Sequence, residues 1–191
     1  MQIYEALKQD HQKVKALLER LVSLSENQKD EKSALLDQIR DELIPHSRAE
    51  EAVFYNSMRL LDETKSLAMH GYKEHLEAEA LLRTLQAEDL VGSEWKNTAY
   101  KLKDALEHHV EEEEGEMFAA AQALFTDEEA EIICDAFQRM KPEVKEEGFM
   151  MNTLEMIKNM LPPRLSDALS DYHIPAVLKN RASHENRQNK R

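Results

Sequence analysis

The stretch His46-Ser47-Arg48-Ala49-Glu50-Glu51-Ala52-Val53-Phe54-Tyr55 recurs in kind as His109-Val110-Glu111-Glu112-Glu113-Glu114-Gly115-Glu116-Met117-Phe118. Each copy sets a glutamate four residues after a histidine and ends in two large apolar side chains. Each also has a forerunner upstream. Asp10-His11 with Ala16-Leu17-Leu18 and Leu21 precedes the first, and Glu74-His75 with Ala80-Leu81-Leu82 and Leu85 precedes the second. The His11–His46 and His75–His109 separations are 35 and 34 residues, so the chain holds an internal repeat. Imidazole and carboxylate kept in register through both copies point to one metal site built from two helical hairpins.

Composition bounds the rest. A chain of 191 residues suffices for one buried core with an appendage. Charged residues make up 33%, with only 4 Gly and 5 Pro, which favours long helices over a turn-rich sheet protein. A formal charge of −13 repels phosphate and excludes nucleic acid as the main partner, while it suits a protein that attracts cations. Cys134 is the single cysteine, so no intrachain disulfide forms and a reducing cytoplasm is the expected setting. The N-terminal residues carry charges inside their apolar pattern, and no run of about 18 apolar residues occurs. Neither a signal peptide nor a membrane span is expected.

Helical periodicity dominates. Ile3, Leu7, Val14, Leu18 and Leu21 share a stripe with His11, predicting a first helix over 2–25. The second spans 31–61, with Leu35, Ile39, Leu43, His46, Glu50 and Val53 inward and a kink expected at Pro45. The third begins between Glu63 and Gly71 and carries His75, Ala78, Leu82 and Leu85 until Gly92-Ser93, where Ser93 is the expected N-cap. The fourth runs over 94–124 through Trp95, Leu102, Leu106, His109, Glu113 and Met117. Two such hairpins predict an all-α fold, an up-down-up-down antiparallel four-helix bundle over 1–125.

Additional C-terminal helices follow. Thr126-Asp127-Glu128-Glu129 has the form of a capping box and opens a fifth helix to about Met140. Pro142 is expected to open a sixth, through Met150, Leu154, Ile157 and Leu161, ended by Pro162-Pro163. This extension, 126–178, is Met-rich; ordinary core packing is the leading expectation for it, with docking on the bundle or pairing of two chains as a homodimer the alternative. Residues 179–191 form a basic polar tail.

Residues four apart on a helix project to one side, so His46 groups with Glu50 and His109 with Glu113. A bare carboxylate in an apolar core costs several kcal/mol unless a cation or proton compensates it. No lysine or arginine lies on the inward stripes, so Glu50 and Glu113 call for a metal. Nitrogen and oxygen ligands without thiolate suit iron or manganese, with zinc an alternative. The set His11, His46, Glu50, His75, His109 and Glu113 exceeds one tetrahedral ion and suits two, leaving a position open for a small molecule. The repeat selects Glu113 from its acidic run, and Glu111, Glu112 and Glu114 read as a solvated face. Tyr72 and Glu79 are candidates to support the ligands from behind, while His70 and His108 read as peripheral.

On these motifs the chain resembles the hemerythrin-like HHE cation-binding proteins over roughly residues 1 to 125. The resemblance implies a non-haem centre of two iron ions bridged by oxide or hydroxide. His11 and His46 would hold one iron, His75 and His109 the other, with Glu50 and Glu113 bridging. Oxygen-carrying members place a fifth histidine on the third helix, where this chain has Gly71 and Glu79 at the candidate positions. They also use an aspartate five residues after the fourth-helix histidine. The four-His, two-Glu set is similar to a branch linked to nitric-oxide and oxidative stress and to iron-centre repair. No counterpart of that branch's cysteine-bearing N-terminal domain is expected ahead of His11. The leading functional expectation is binding or sensing of a small ligand: oxygen, nitric oxide or iron itself. A di-iron oxidoreductase acting on peroxide, oxygen or nitric oxide comes next, and it needs a proton donor among Tyr72, His70 and Glu79. The third class is a structural bundle stapled by metal.

Overall fold

Apolar residues recur every three to four positions, and the computed structural model, which describes residues 1–87 and 92–147, consists of helices joined by short turns, with no strand among the described residues. Helix α1 (Ile3–Ser23) opens with the Gln2 N–H donating to the Glu5 carboxylate at 3.1 Å. Helix α2 (Lys29–Glu50) stays helical on both sides of Pro45, then passes into a π-helical segment, Glu51–Tyr55, and a last turn, α3 (Asn56–Arg59). After a bend held by Thr64 Oγ1 donating to the Met58 carbonyl at 2.7 Å comes α4 (Lys65–Ala87). Helix α5 (Ser93–Glu112), a second π-helical segment (Glu113–Met117) and α6 (Phe118–Leu124) make the fourth rod. Helix α7 (Asp127–Glu147) begins at the expected capping box: the Thr126 N–H donates to Glu129 at 3.0 Å, and the Glu129 N–H to Thr126 Oγ1 at 3.2 Å.

Two local expectations are corrected. Gly92, at φ 92°, occupies the cap of α5 and Ser93 is already helical; glycine tolerates that left-handed backbone and serine does not. Pro142 does not open a new helix but lies inside α7. It removes the donor to the Gln138 carbonyl, yet both residues face solvent, where water can satisfy that carbonyl. The Met150–Leu161 helix, the basic tail and the pairing surface lie outside the described residues.

Two apolar clusters fill the interior. One gathers Ile3, Leu7, Phe54, Met58, Met117 and Phe137; the other gathers Val14, Leu18, Ile39, Leu82, Leu102 and Leu106. Between them lies a buried polar layer of His11, His46, Glu50, His75, His109 and Glu113. Each rod crosses it once: Leu7–His11–Val14 in α1, Leu43–His46–Val53 in the second rod, Ala68–His75–Ala78 in α4, and Leu106–His109–Met117 in the fourth. α1 packs on α2 and α5, and α4 packs on α5 and α2, so the four close a ring. α7 lies along α1 and α2 and adds Ile133, Phe137 and Met140 to the first cluster. Each fully buried Leu or Phe contributes about 1.5–3 kcal/mol. Two such clusters allow a polar layer, costly by itself, to be held between them. No described helix is long and apolar enough to cross a membrane.

Candidate metal centre

The six residues selected by the repeat converge. Glu50 Oε2 lies 3.3 Å from His46 Nε2 and 3.4 Å from His75 Nε2. Glu113 Oε2 lies 3.2 Å from His11 Nε2 and 3.5 Å from His109 Nε2. The His75 and His109 Nε2 atoms are 3.1 Å apart, and the His11 and His46 rings are 5.1 Å apart between centroids. Both glutamates are fully buried, and their four carboxylate oxygens, with His11 Nε2, have no hydrogen-bond partner. Such orphaned acceptors each cost on the order of 1–3 kcal/mol or more. Donor atoms of His46, Glu50 and His75 lie within 4.8 Å of one another, as do those of Glu50, His109 and Glu113, a spacing that fits cations between them.

Around this layer runs a second ring of carboxylates, one on each imidazole Nδ1. Glu114 Oε1 meets His11 at 2.9 Å, Glu51 Oε1 meets His75 at 3.1 Å, Asp10 Oδ2 meets His46 at 3.4 Å, and Glu74 Oε2 meets His109 at 2.9 Å. The ring obeys the repeat. The acid before one histidine (Asp10, Glu74) takes the next rod's imidazole, and the acid after each buried glutamate (Glu51, Glu114) takes the other. An Nδ1–H held by carboxylate fixes the tautomer that leaves Nε2 free for a metal. Glu114 therefore leaves the solvated face to which the sequence assigned it. The signal was present, because all four acids flank repeated residues.

Electrostatics show the same demand for positive charge. Burial, then the Glu113 charge, pushes the Glu50 carboxyl well above its usual range. Burial opposes ionisation of Glu113 too, but the Glu50 carboxyl and the His11 and His109 imidazoles hold it below the ordinary carboxylate range. Burial pulls His11 down, yet Glu113 and Glu114 outweigh it and carry it up to about 9. Burial lowers His46 to about 4, against the pull of Asp10. Burial and the neighbouring His109 lower His75 to about 3. The metal-free layer thus keeps protons where a cation would otherwise sit.

The two π-helical segments begin within one residue of the same point of the repeat, directly after Glu50 and at Glu113. An extra residue in the turn re-aims the side chains that follow, and π segments concentrate at functional sites. The first brings Tyr55 to the layer. Its ring stacks on His75 (5.2 Å, 22°), and its hydroxyl lies 3.5 Å from His109 Nε2. Helical spacing does not single out Tyr55, although it ends the stretch that begins at His46. Gly71 makes room for it: a Cβ there would come within 2.7 Å of the Tyr55 ring and hydroxyl. Tyr55 thus fills the space where a side chain at 71, one of the candidate fifth-histidine positions, would reach the layer. Gly71→Ala is expected to cost about 1–3 kcal/mol and to push the hydroxyl off His109, because a fully buried ring has nowhere to retreat. Thermal melts and the optical spectrum of the iron-loaded variant check this.

The remaining candidates lie further out. The Tyr72 hydroxyl donates to the Glu51 carbonyl at 2.7 Å and to Asn56 Oδ1 at 3.1 Å, bracing the first π segment rather than facing the layer. Glu79 turns away from the histidines to pair with Arg48 and, at 3.0 Å, Arg83 Nε. Arg48 also holds Glu51 at 3.2 Å, so Glu79 supports His75 only through two intermediates. His70 is half-exposed, 3.0 Å from Glu112 and 3.5 Å from Glu74. His108 is exposed and 3.3 Å from Glu112. From α7, Phe137 packs edge-on against the His46 ring at 5.8 Å, a contact no motif announced.

Comparison with known proteins agrees with this geometry. The family described as "Hemerythrin HHE cation binding domain" matches residues 2–121. A protein named "DNA nickase" from Nostoc sp. (strain PCC 7120 / SAG 25.82 / UTEX 2576) is 29% identical over 149 residues, 76% of this chain and 41% of its own length. The chain thus spans about two fifths of that relative. No solved structure matches the chain.

Proposed function

Because the chain belongs to the hemerythrin HHE cation-binding family, we propose that it is a non-haem di-iron protein that binds or senses a small ligand, namely oxygen, nitric oxide or iron itself. The observation that carries this reading is the set of four unpartnered carboxylate oxygens, fully buried among four inward imidazoles. His11 and His46 would hold one ion and His75 and His109 the other. In support, each glutamate approaches one histidine of each pair, as a bridging ligand must. The rods form an up-down-up-down antiparallel bundle. That is supported by their order through the core: α1 and α4 run from the first apolar cluster to the second, the other two rods the reverse. Cys134 is buried and unpaired, in keeping with a cytoplasmic protein.

Bound iron supplies a Lewis acid that can change valence. The protein's own residues determine what reaches it. A cavity of about 10 Å³ lies against the four histidines and is lined further by Val14, Lys15, Leu43, Leu106 and Val110. That is room for about one water-sized molecule, which favours a small ligand over a bulky one. Iron-loaded protein should carry two irons per chain, with charge-transfer bands of a coupled diferric pair that shift on adding azide. One iron or fewer, or bands indifferent to azide, overturns the reading.

A second reading, a di-iron oxidoreductase for peroxide or nitric oxide, is favoured by Tyr55 alone. Its hydroxyl can hand a proton or a hydrogen bond to a group beside His109 Nε2. Tyr55→Phe should keep both metals and weaken ligand binding by about 0.5–1.5 kcal/mol, the net value of one hydrogen bond. Loss of turnover with intact binding would instead favour the enzyme. The nicking activity in the Nostoc relative's name is not carried over, since a charge of −13 opposes a phosphate backbone.

A further inference from the structure

We propose that His70, Glu74 and Glu112 form a separate cation site on the outer side of α4 and α5, taking one zinc ion. His70 Nε2 lies 3.0 Å from Glu112 Oε2 and 3.5 Å from Glu74 Oε1, and donor atoms of all three fall within 4.8 Å of one another. Tetrahedral zinc with bonds near 2.1 Å sets its ligand atoms roughly 3.4 Å apart, so small side-chain adjustments complete the site. One imidazole nitrogen and two carboxylate oxygens leave the fourth position to water. His108 Nε2, 3.3 Å from Glu112 Oε1, steadies the second oxygen of that carboxylate.

The repeat explains why a cation is wanted here. Glu74 and Asp10 are equivalent positions, each holding the imidazole of the next rod. Outside Asp10, two ammonium groups balance its charge: Lys13 at 3.1 Å and Lys141, brought in by α7. Outside Glu74, the only ion pairs among the described residues are with His70 and His109, and those of Glu112 are with His70 and His108. Two carboxylates thus share imidazoles alone where their counterpart has two lysines. The two oxygens of Glu74 also divide the work. Oε2 accepts from His109 on the inside and Oε1 faces His70 on the outside, so an outer ion need not dislodge the inner histidine.

The test counts zinc bound to the full chain after equilibrium dialysis, by elemental analysis. Wild type should hold three per chain, and His70→Ala and Glu112→Gln should each hold two. Both positions are substantially exposed, so the metal-free variants should melt with wild type. Glu113→Met, which disrupts the inner layer, should still hold the outer ion, and its count should fall by one when His70→Ala is added. Counts unchanged by His70→Ala and Glu112→Gln overturn the outer site while leaving the inner reading intact. A wild-type count of one that His70→Ala abolishes sustains the outer site and removes the inner one.

Discussion

Glu113→Met is expected to reduce bound iron from two ions per chain to one or none, and at the same time to weaken the metal-free protein. The two effects share a cause. Glu113 is fully buried, its oxygens are unpartnered, and its charge lies beside the acid Glu50 and between the His11 and His109 imidazoles. Without a cation, the Glu50 carboxyl and the His11 and His109 imidazoles offset the desolvation of this carboxylate; with one, it would serve as a ligand. A methionine of similar length fills the volume and removes the charge. Removing one partner of a buried pair leaves the other uncompensated, here the His11 imidazole, and commonly costs about 3–5 kcal/mol. Urea denaturation in the presence of chelator should show that loss, and elemental analysis of iron-loaded protein should show the lost metal. His46→Ala should also lose metal and stability, by a different route, since it leaves a cavity under Phe137 and deprives Asp10 of its imidazole partner. If Glu113→Met retains two irons, or its metal-free form is as stable as wild type, then Glu113 neither holds metal nor pairs with His11.

The six inward residues were legible because two constraints overlap on them. Helical spacing puts His46 with Glu50 and His109 with Glu113, and the repeat then rejects the neighbouring acids that spacing alone allows. What stayed hidden depends on geometry that no period encodes. Tyr55 reaches His109 only because a π segment inserts an extra residue into the turn after Glu50, and because Gly71 leaves the facing helix without a side chain. Glu114 reads as part of a solvated run until the rods are assembled, when it meets His11 from across the bundle. Glu79 shows the opposite failure. It lies one turn from His75, but Arg48 and Arg83 draw it outward, and a cross-helix ion pair leaves no periodic trace. α7 runs past Pro142 because the proline faces water, which composition alone does not reveal.

Metal loading near pH 7 is expected to release protons, up to two per chain. Ligation needs every imidazole and carboxylate of the layer deprotonated. His46, at about 4, and His75, at about 3, already are at neutral pH, whereas His11, at about 9, is not, and burial beside Glu113 raises the Glu50 carboxyl in the same sense. Apparent affinity should therefore climb about tenfold per pH unit for each proton displaced. The stability of the metal-free form follows with opposite signs on its two sides. The depressed histidines contribute stability that is present above their usual value of 6.5 and lost as pH falls through 4 and 3. The raised groups contribute stability that is full below their usual values and lost as pH rises, through about 9 in the case of His11. Each proton gives a slope of up to about 1.4 kcal/mol per pH unit. Metal-free protein should thus be most stable near neutrality and weaken toward alkali, while the loaded form, with nothing left to deprotonate at those ligands, should not. Calorimetric titration in buffers of differing ionisation heat, with urea melts across the same pH range, reads both quantities. Heats independent of buffer, together with parallel pH profiles for loaded and metal-free protein, would mean that the layer holds no protons for a cation to displace.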